Sequence, residues 1–275
     1  MLFSLIAIPY YLSPWIIPIW MQFFTCPKWA SITPILFLAY LIFAVGNTVF
    51  VAIYYLEIPF FEQYKVTNQP WPWKTRSRKA FFRKVGMTLK MLAFNNFVVA
   101  PTAVALGVLF YNYELGTTLE DLPSFPMHVL QIGFMMVCED FMFYWSHRLL
   151  HQPYFYKKIH YMHHMYKENV SFCSEFAHPI EFFMGDMVPL MLGSLILQKR
   201  THFVTMSVFT VLRIIETMES HCGYEFPWGI TRFIPLSCST DYHDHHHRVN
   251  KGNFATFFIV WDTVFGTNQT YYKGL

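Results

Sequence analysis

Long uninterrupted apolar runs, rather than the alternation of a half-exposed strand, dominate the pattern of this chain. Two runs, 31–56 and 88–110, are long enough as helices to cross a hydrocarbon layer of about 30 Å. A third run, 127–145, keeps a helical pattern to about residue 151, so this helix would extend beyond the membrane. The pattern therefore predicts an all-α, polytopic membrane protein.

Two further apolar segments predict less definite structures. The first 24 residues contain three prolines and lack a basic leader and a small-residue cleavage site, which favours an interfacial or poorly formed membrane segment over a removed signal peptide. Segment 182–219 consists of two short apolar runs joined by a basic turn. A half-penetrating hairpin and two full crossings both remain open for it. The expected number of transmembrane helices is about four.

The placement of charge predicts an orientation in the membrane. Segment 65–90 carries eight basic residues and no acidic one, whereas segment 111–126 carries three acidic residues and no basic one. Because basic loops stay on the cytosolic side, the first segment is expected in the cytosol and the second in the lumen. Segments 147–181 and 220–275, which contain eleven of the thirteen histidines, would then form a histidine-rich helical cap facing the cytosol.

Composition supports a membrane protein with a single integrated domain. Of the 275 residues, 54% are hydrophobic and 13% are charged, against about 25% charged in soluble proteins. The net charge of +3 does not indicate nucleic-acid binding. The sequence shows no internal repeat or flexible linker, so an N-terminal membrane region, 1–126, with two transmembrane helices is expected to join directly to a histidine-rich region, 127–275.

Three histidine motifs predict a metal centre with two ions. One HxxxH motif is followed by two HxxHH motifs, and on a helix positions i, i+3 and i+4 share one side. Eight imidazoles exceed the four positions of a tetrahedral zinc ion, so two ions sharing them is the economical interpretation. The eight histidines are His147, His151, His160, His163, His164, His243, His246 and His247.

Other polar residues are candidates for supporting roles. Asp140 lies on the same helical stripe as His147 and His151, one to two turns below them, where a carboxylate would orient imidazole N–H groups. A pairing of Asp140, or of adjacent Glu139, with another helix is the competing interpretation.

Of the remaining histidines, His178 and His221 are candidates for a ninth and a tenth ligand. His128, His202 and His245 are interpreted as ordinary surface or interface residues.

The residue types restrict the metal without identifying it. Imidazole binds iron, zinc, copper and nickel alike. The five cysteines occur singly, without a CxxC pair, which disfavours disulfides, iron–sulfur clusters and structural zinc. The absence of an HExxH motif disfavours zinc peptidase chemistry.

The order HxxxH, HxxHH and HxxHH resembles the fatty acid hydroxylase superfamily of membrane non-haem di-iron enzymes. The similarity extends over about 130–270 and is greatest to C4-methyl sterol oxidases, including the stretches around Glu139–His151 and Glu175–Glu181 and the tail Trp261–Thr267. Three features depart from the family. The extra His245 leaves the register of the third motif open, Thr217 stands where relatives often have histidine, and the last residues lack a dilysine signal.

The resemblance implies a function and a set of partners. It implies two Fe ions, O2 as co-substrate, a sterol 4-methyl group as the oxidised site, and electrons from NAD(P)H through cytochrome b5 and its reductase, in the endoplasmic reticulum membrane. The basic segment 65–90 could dock an acidic carrier or reflect topology alone. A sterol desaturase or another lipid hydroxylase is the alternative within the superfamily. A redox-inert zinc-binding membrane protein or a zinc lipid hydrolase is the alternative from another class.

Overall fold

The computed structural model describes residues 1–23, 27–66, 70–75 and 77–269, and within these ranges it contains helices and isolated bridges but no strand. Cys26 and the C-terminal residues 270–275 lie outside the described ranges. The α-helices are α1 (Leu2–Met21), α2 (Pro27–Leu56), α3 (Pro59–Glu62), α4 (Pro72–Thr75), α5 (Arg78–Phe94), α6 (Ala100–Tyr111), α7 (Phe125–Leu150), α8 (Pro153–Lys158), α9 (Pro179–Glu181), α10 (Val188–Leu197), α11 (Phe203–Ser220), α12 (Thr240–Val249) and α13 (Val260–Val264).

Short helical turns complete the description. Two turns are π-helical, at Asn95–Val99 and Phe182–Met187. The 3-10 turns are His160–Met165, Ser171–Cys173, Gln198–Arg200 and Ile230–Phe233. The four cysteines of the described ranges are free thiols, as the sequence predicted.

Four helical stretches of the described ranges are long and apolar enough to cross a membrane: Leu2–Met21, Trp29–Leu56, Arg78–Tyr111 and Pro179–Arg200. An all-helical membrane protein with about four such helices is thereby confirmed. The set differs from the expected one, because it includes α1 and omits α7.

Helix α1 corrects the prediction of a poorly formed N-terminal segment, since residues 2–21 form one continuous helix despite three internal prolines. Pro14 has no N–H to offer to the carbonyl of Tyr10 one turn earlier. The hydroxyl of Ser13 donates to that carbonyl instead, at 2.6 Å. Local side-chain compensation of this kind lets an apolar helix tolerate proline.

Helix α7 has a polar face that lowers its mean hydropathy. His128, Gln131, Glu139 and Asp140 all lie in this helix, and all four are buried. The helix therefore directs its polar residues towards the protein interior, and it is not uniformly apolar like the four stretches named above.

The two halves of the predicted hairpin at 182–219 differ in how deeply they are buried. The first half belongs to the long stretch Pro179–Arg200, whereas α11 is almost entirely buried and packs against α1, α2 and α7. Helix α10 packs against α7, and the Cβ of an alanine at Gly193 would lie only 2.8 Å from the Cα of Met135. The core of the bundle therefore depends on close backbone approach as well as on side-chain burial.

Each π-helical turn ends two residues before the proline in the first turn of the following α-helix. Pro101 follows the turn Asn95–Val99, and Pro189 follows the turn Phe182–Met187. In the turn Asn95–Val99 the Ala100 N–H donates to the Asn95 carbonyl, five residues back, which is the hydrogen-bond spacing of a π-helix. Each helix continues through its proline.

A second apolar core lies beneath the histidine-rich region and is mainly aromatic, with Tyr54, Trp71, Tyr166, Phe176 and Tyr224 buried in it. The Tyr54 hydroxyl donates to the Cys222 carbonyl at 2.8 Å and accepts from the Ser171 N–H at 2.9 Å. The N-terminal half of the chain thus holds two loops of the C-terminal half in place. The division of the chain near residue 126 remains a prediction.

Candidate metal centre

The first histidine motif lies where α7 ends. His147 is in the last turn of the helix and is buried, and His151 is its half-buried C-terminal cap. Because side chains four residues apart lie on one helical face, the two rings are neighbours, with centroids 5.0 Å apart.

The second motif forms a 3-10 turn, His160–Met165, rather than part of an α-helix. In a 3-10 helix residues three apart are eclipsed and about 6 Å apart along the axis. The rings of His160 and His163 accordingly stack, with centroids 5.5 Å apart and planes 22° apart. The turn therefore places the rings of His160 and His163 at different positions along its axis.

The third motif lies on α12, whose N-terminus is capped by the Ser239 hydroxyl accepting from the Tyr242 N–H at 3.1 Å. His243 and His246 stack with centroids 5.6 Å apart, and His247 is fully buried beside them. His245 is less buried than these three.

The structure brings nine of the ten candidate ligands into two adjacent groups. Within each group one nitrogen of every ring lies within 4.8 Å of the others. The first group is His147, His151, His160, His164 and His246, and the second is His163, His221, His243 and His247. Each i, i+4 pair shares a group, whereas each stacked i, i+3 pair is divided between the groups.

The groups are side by side, since the His164 and His247 ring centroids are 4.6 Å apart. His178 and His245 belong to neither group. The His178 ring instead accepts from the Ile180 N–H at 3.2 Å and caps α9.

Outer hydrogen bonds fix the direction of the imidazole lone pairs. The Nδ1 atoms of His147, His246 and His221 donate to the carbonyls of Phe254, Gly252 and Thr217 at 2.8, 2.6 and 2.9 Å. Since a carbonyl can only accept, Nδ1 carries the proton in each neutral ring and Nε2 keeps its lone pair. These Nε2 lone pairs point into the groups.

The nitrogens inside each group lie close enough to one another to share a cation. Nε2 of His160 lies 3.0 Å from Nε2 of His151 and 2.9 Å from Nε2 of His164, and Nε2 of His243 lies 3.0 Å from Nε2 of His221. An ion about 2.1 Å from two nitrogens at a right angle holds them about 3.0 Å apart. The donor set and its spacing therefore fit metal ions.

Burial keeps these rings in the neutral form that binds metal. Desolvation lowers the pKa of His221 to about 3. Desolvation, together with neighbouring imidazoles, lowers the pKa values of His164 and His247 well below their ordinary value. At neutral pH the nitrogens are available as ligands without first losing a proton.

Comparison with known proteins identifies the family. A family model described as fatty acid hydroxylase matches residues 132–267, which include both histidine groups. Very-long-chain aldehyde decarbonylase GL1-8 of Oryza sativa subsp. japonica is 41% identical over 67% of this chain and 69% of its own length. The chain belongs to the fatty acid hydroxylase family. No solved structure matches it.

Other family members are named for sterol oxidation. Methylsterol monooxygenase 2-2 of Arabidopsis thaliana is 41% identical over 54% of this chain and 56% of its own length. C-4 methylsterol oxidase erg25 of Schizosaccharomyces pombe is 37% identical over 57% of this chain and 53% of its own length. The matched part of the chain thus spans little more than half the length of these two relatives.

Asp140 supports the fatty acid hydroxylase site differently from the sequence prediction. Its carboxylate accepts from the backbone N–H groups of Phe257 and Phe258 at 2.9 and 3.2 Å, and within the described residues it bonds to no imidazole. It therefore anchors the loop whose Phe254 carbonyl accepts from His147. Glu139 follows the competing interpretation, because it pairs with Arg213 of α11 at 2.8 Å.

The carboxylate that does contact a ligand candidate is Glu181, which sequence reasoning did not single out. One of its oxygens lies 2.6 Å from Nδ1 of His160, and both residues are buried. The signal for it was present, since an acidic residue near the start of an apolar helix requires a partner. The identity of that partner could not be read from spacing, because 21 residues separate the two positions.

Proposed function

We propose that this chain is a membrane non-haem di-iron oxygenase that oxidises the C4-methyl group of a sterol. The observation that carries the proposal is the pair of adjacent, buried imidazole groups with their lone pairs directed inward. The similarity to two proteins named as methylsterol oxidising enzymes supports the choice of substrate.

The first group would hold one iron and the second group the other. Five nitrogens in the first group exceed the four positions of tetrahedral zinc, and their separations suit ligands at right angles, as around a six-coordinate ion. Bound iron would supply the oxygen-activating redox chemistry. His178 is left out of the proposed ligand set, and His221 is included.

The protein's own residues would prepare the site. The carbonyls of Phe254, Gly252 and Thr217 hold three rings in the ligating tautomer, and Glu181 does the same for His160. Burial of the rings excludes bulk water from the place where oxidation occurs.

Electrons would come from a separate protein. The sequence has no dinucleotide-binding fingerprint, so NAD(P)H is expected to act through a reductase and a cytochrome b5-type carrier. We place the enzyme in the endoplasmic reticulum membrane with the histidine groups towards the cytosol, because the basic segment 65–90 is joined to the same end of the bundle. Lys84 supports this placement, since it donates to the Met165 carbonyl beside the second motif at 2.6 Å.

A second candidate function is oxygen-dependent conversion of a long-chain aldehyde. The similarity to aldehyde decarbonylase GL1-8, which covers more of the chain than the sterol relatives named above, favours it. A pocket for a flexible chain and a pocket for a ring system would share the same histidines and differ in the cavity beside them.

The decisive experiment uses the full chain in lipid nanodiscs. Protein expressed with ample iron is analysed for metal content and then supplied with O2, a reducing system, and either a 4,4-dimethylsterol or a long-chain aldehyde. The proposal expects about two irons per chain and an oxidised 4-methyl group by mass spectrometry. Alkane formation from the aldehyde alone would select the second candidate. Stoichiometric zinc with no oxygen uptake would remove both candidates and favour a zinc protein.

A further inference from the structure

A cavity next to the histidine groups has one wall made of metal-ligand candidates and another made of polar groups. His147, His163 and His243 line the first wall. Ser174, Asp186, Arg213 and Thr217 are among the residues of the second wall.

Arg213 is fully engaged with its neighbours. Its Nε donates to Glu139 at 2.8 Å, and Nη1 pairs with Glu216. The guanidinium also lies against the rings of Phe143 and Phe257, with 5.5 and 5.4 Å to the centroids. Its pairing with two carboxylates gives Arg213 a fixed position.

Asp186 differs from Arg213, because within the described residues its carboxylate makes no hydrogen bond or ion pair. It lies in the π-helical turn Phe182–Met187, inside the apolar stretch Pro179–Arg200, and it is half-buried on the cavity wall. A carboxylate within a membrane helix is costly unless it faces a partner or a functional cavity. The buried hydroxyls of Ser174 and Thr256, on the same cavity, also have no hydrogen-bond partner in the part of the chain that the structure describes.

A second, apolar cavity has no histidine among its lining residues. Ile35 and Leu36 of α2, Met187, Met191 and Met206 line it. The two cavities flank the same segment, since Glu181 and Asp186 line the first cavity whereas Phe182 and Met187 line the second. Movement of the side chains between them would join the two cavities into a path from the apolar part of the bundle to the metal-ligand candidates.

The path must open to admit a ring system. The two cavities hold about 30 and 70 Å³, which is room for only a few water molecules. Three methionines line the larger cavity, and their unbranched side chains can repack around a ligand at low cost. The polar wall cannot repack in this way, because Arg213 is fixed. Its polar groups therefore restrict which substrates can bind.

We propose that the Asp186 carboxylate accepts a hydrogen bond from a substrate hydroxyl on the carbon next to the carbon that bears the oxidised group. In a 4-methylsterol the 3-hydroxyl has this position, because C3 adjoins C4. The hydroxyl-bearing ring would lie against the polar wall, and the remaining rings and side chain would fill the apolar cavity. The inference rests on the proposed function and adds the residue that makes the site specific for hydroxysterols.

The test combines two ligands with two variants of the full-length, metal-loaded protein in nanodiscs. A 3-hydroxy and a 3-deoxy 4,4-dimethylsterol are compared by anaerobic equilibrium binding and then by kcat/KM. Asp186→Leu is expected to weaken binding of the 3-hydroxysterol by about 10- to 100-fold and to leave the 3-deoxysterol unchanged. Asp186→Asn, whose amide oxygen can still accept a hydrogen bond, is expected to keep most of the preference for the 3-hydroxysterol over the 3-deoxysterol.

Met184→Leu is the matched control, because Met184 lies in the same turn and is 47% exposed on the outside of the bundle. It should bind both sterols like the unaltered protein. Equal loss for both sterols in Asp186→Leu, with metal content unchanged, would overturn the inference, as would unaltered binding of both. If Asp186→Leu does not fold, Asp186→Ala, whose methyl group cannot accept a hydrogen bond, is compared in the same way.

A different result identifies failure of the proposed function itself. If the unaltered protein binds and oxidises neither sterol, the substrate assignment falls and the role of Asp186 falls with it. If the unaltered protein oxidises both sterols equally well, the substrate class stands and only the role of Asp186 is lost.

Discussion

Nδ1 of His160 lies 2.6 Å from a carboxylate oxygen of Glu181, and this contact joins the second histidine motif to the beginning of a membrane helix. The 3-10 turn that carries His160 is only six residues long and has few hydrogen bonds of its own. The orientation of the ring therefore depends on a residue of another element.

We predict that Glu181→Ala lowers the affinity of the first histidine group for metal by about 10- to 100-fold, because the ring loses its orienting partner. Glu181→Gln should retain most of the affinity, since the amide oxygen can accept from Nδ1. Metal titration against a competing chelator measures the effect independently of turnover. Equal affinities for the alanine variant and the unaltered protein would show that Glu181 does not position His160.

His221 and His178 should differ in their effect on metal content. His221→Ala removes one of four nitrogens from the second group, so we expect one of the two metals to be lost. His178→Ala should retain both metals, because His178 only caps α9, and should cost roughly 1 kcal/mol or less of stability. Metal analysis of the purified variants checks both outcomes. Loss of metal from the His178 variant alone would reverse our assignment.

Gly193→Ala should destabilise the protein by about 1–3 kcal/mol, because the added methyl would lie 2.8 Å from the Met135 backbone. Gly133→Ala is the matched control, since Gly133 lies on α7 like Met135 and an added Cβ would meet nothing within 4 Å. Thermal unfolding in nanodiscs should show a lower midpoint for the first variant only. Similar midpoints would indicate that α7 and α10 can separate without cost.

The metal-free protein should lose stability as the pH falls below about 6.5. The folded state holds the pKa of His221 at about 3, and those of His164 and His247 are also lowered, whereas in the unfolded chain these rings regain an ordinary pKa of about 6.5. Below that pH the unfolded chain binds more protons than the folded chain, so protonation favours unfolding.

Bound metal should oppose this effect. Thermal midpoints of metal-free and metal-loaded protein, compared between pH 7.5 and 5.5, measure the two slopes. We expect a steep fall for the metal-free form and a shallower one for the loaded form, since metal and protons compete for the same nitrogens. A metal-free midpoint independent of pH would show that the rings are not held neutral.

The sequence alone predicted most of the residues of the site and the class of the fold. The spacing of the histidine motifs selected eight ligand candidates, and all eight lie in the two groups. Long apolar runs predicted an all-helical membrane protein. Both inferences succeed because they rest on local properties, namely helical periodicity and side-chain polarity.

The membrane helices show a limit of this reasoning. The sequence favoured α7 over α1, because prolines weigh against a helix and a few polar residues do not greatly disturb an apolar run. In the structure Ser13 satisfies the carbonyl that Pro14 leaves free, and the polar residues of α7 face buried partners such as Arg213. Both outcomes depend on contacts that the hydropathy of a segment does not contain.

What the sequence by itself determined is therefore which imidazoles are available and that they gather at one end of a helical bundle. Only the tertiary structure decided how they divide into groups of five and four, that His221 joins them and His178 does not, and that Glu181 rather than Asp140 contacts a ring. The physical reason is that these relationships arise between elements distant in the chain, where the packing of α7, α11 and α12 sets which side chains meet.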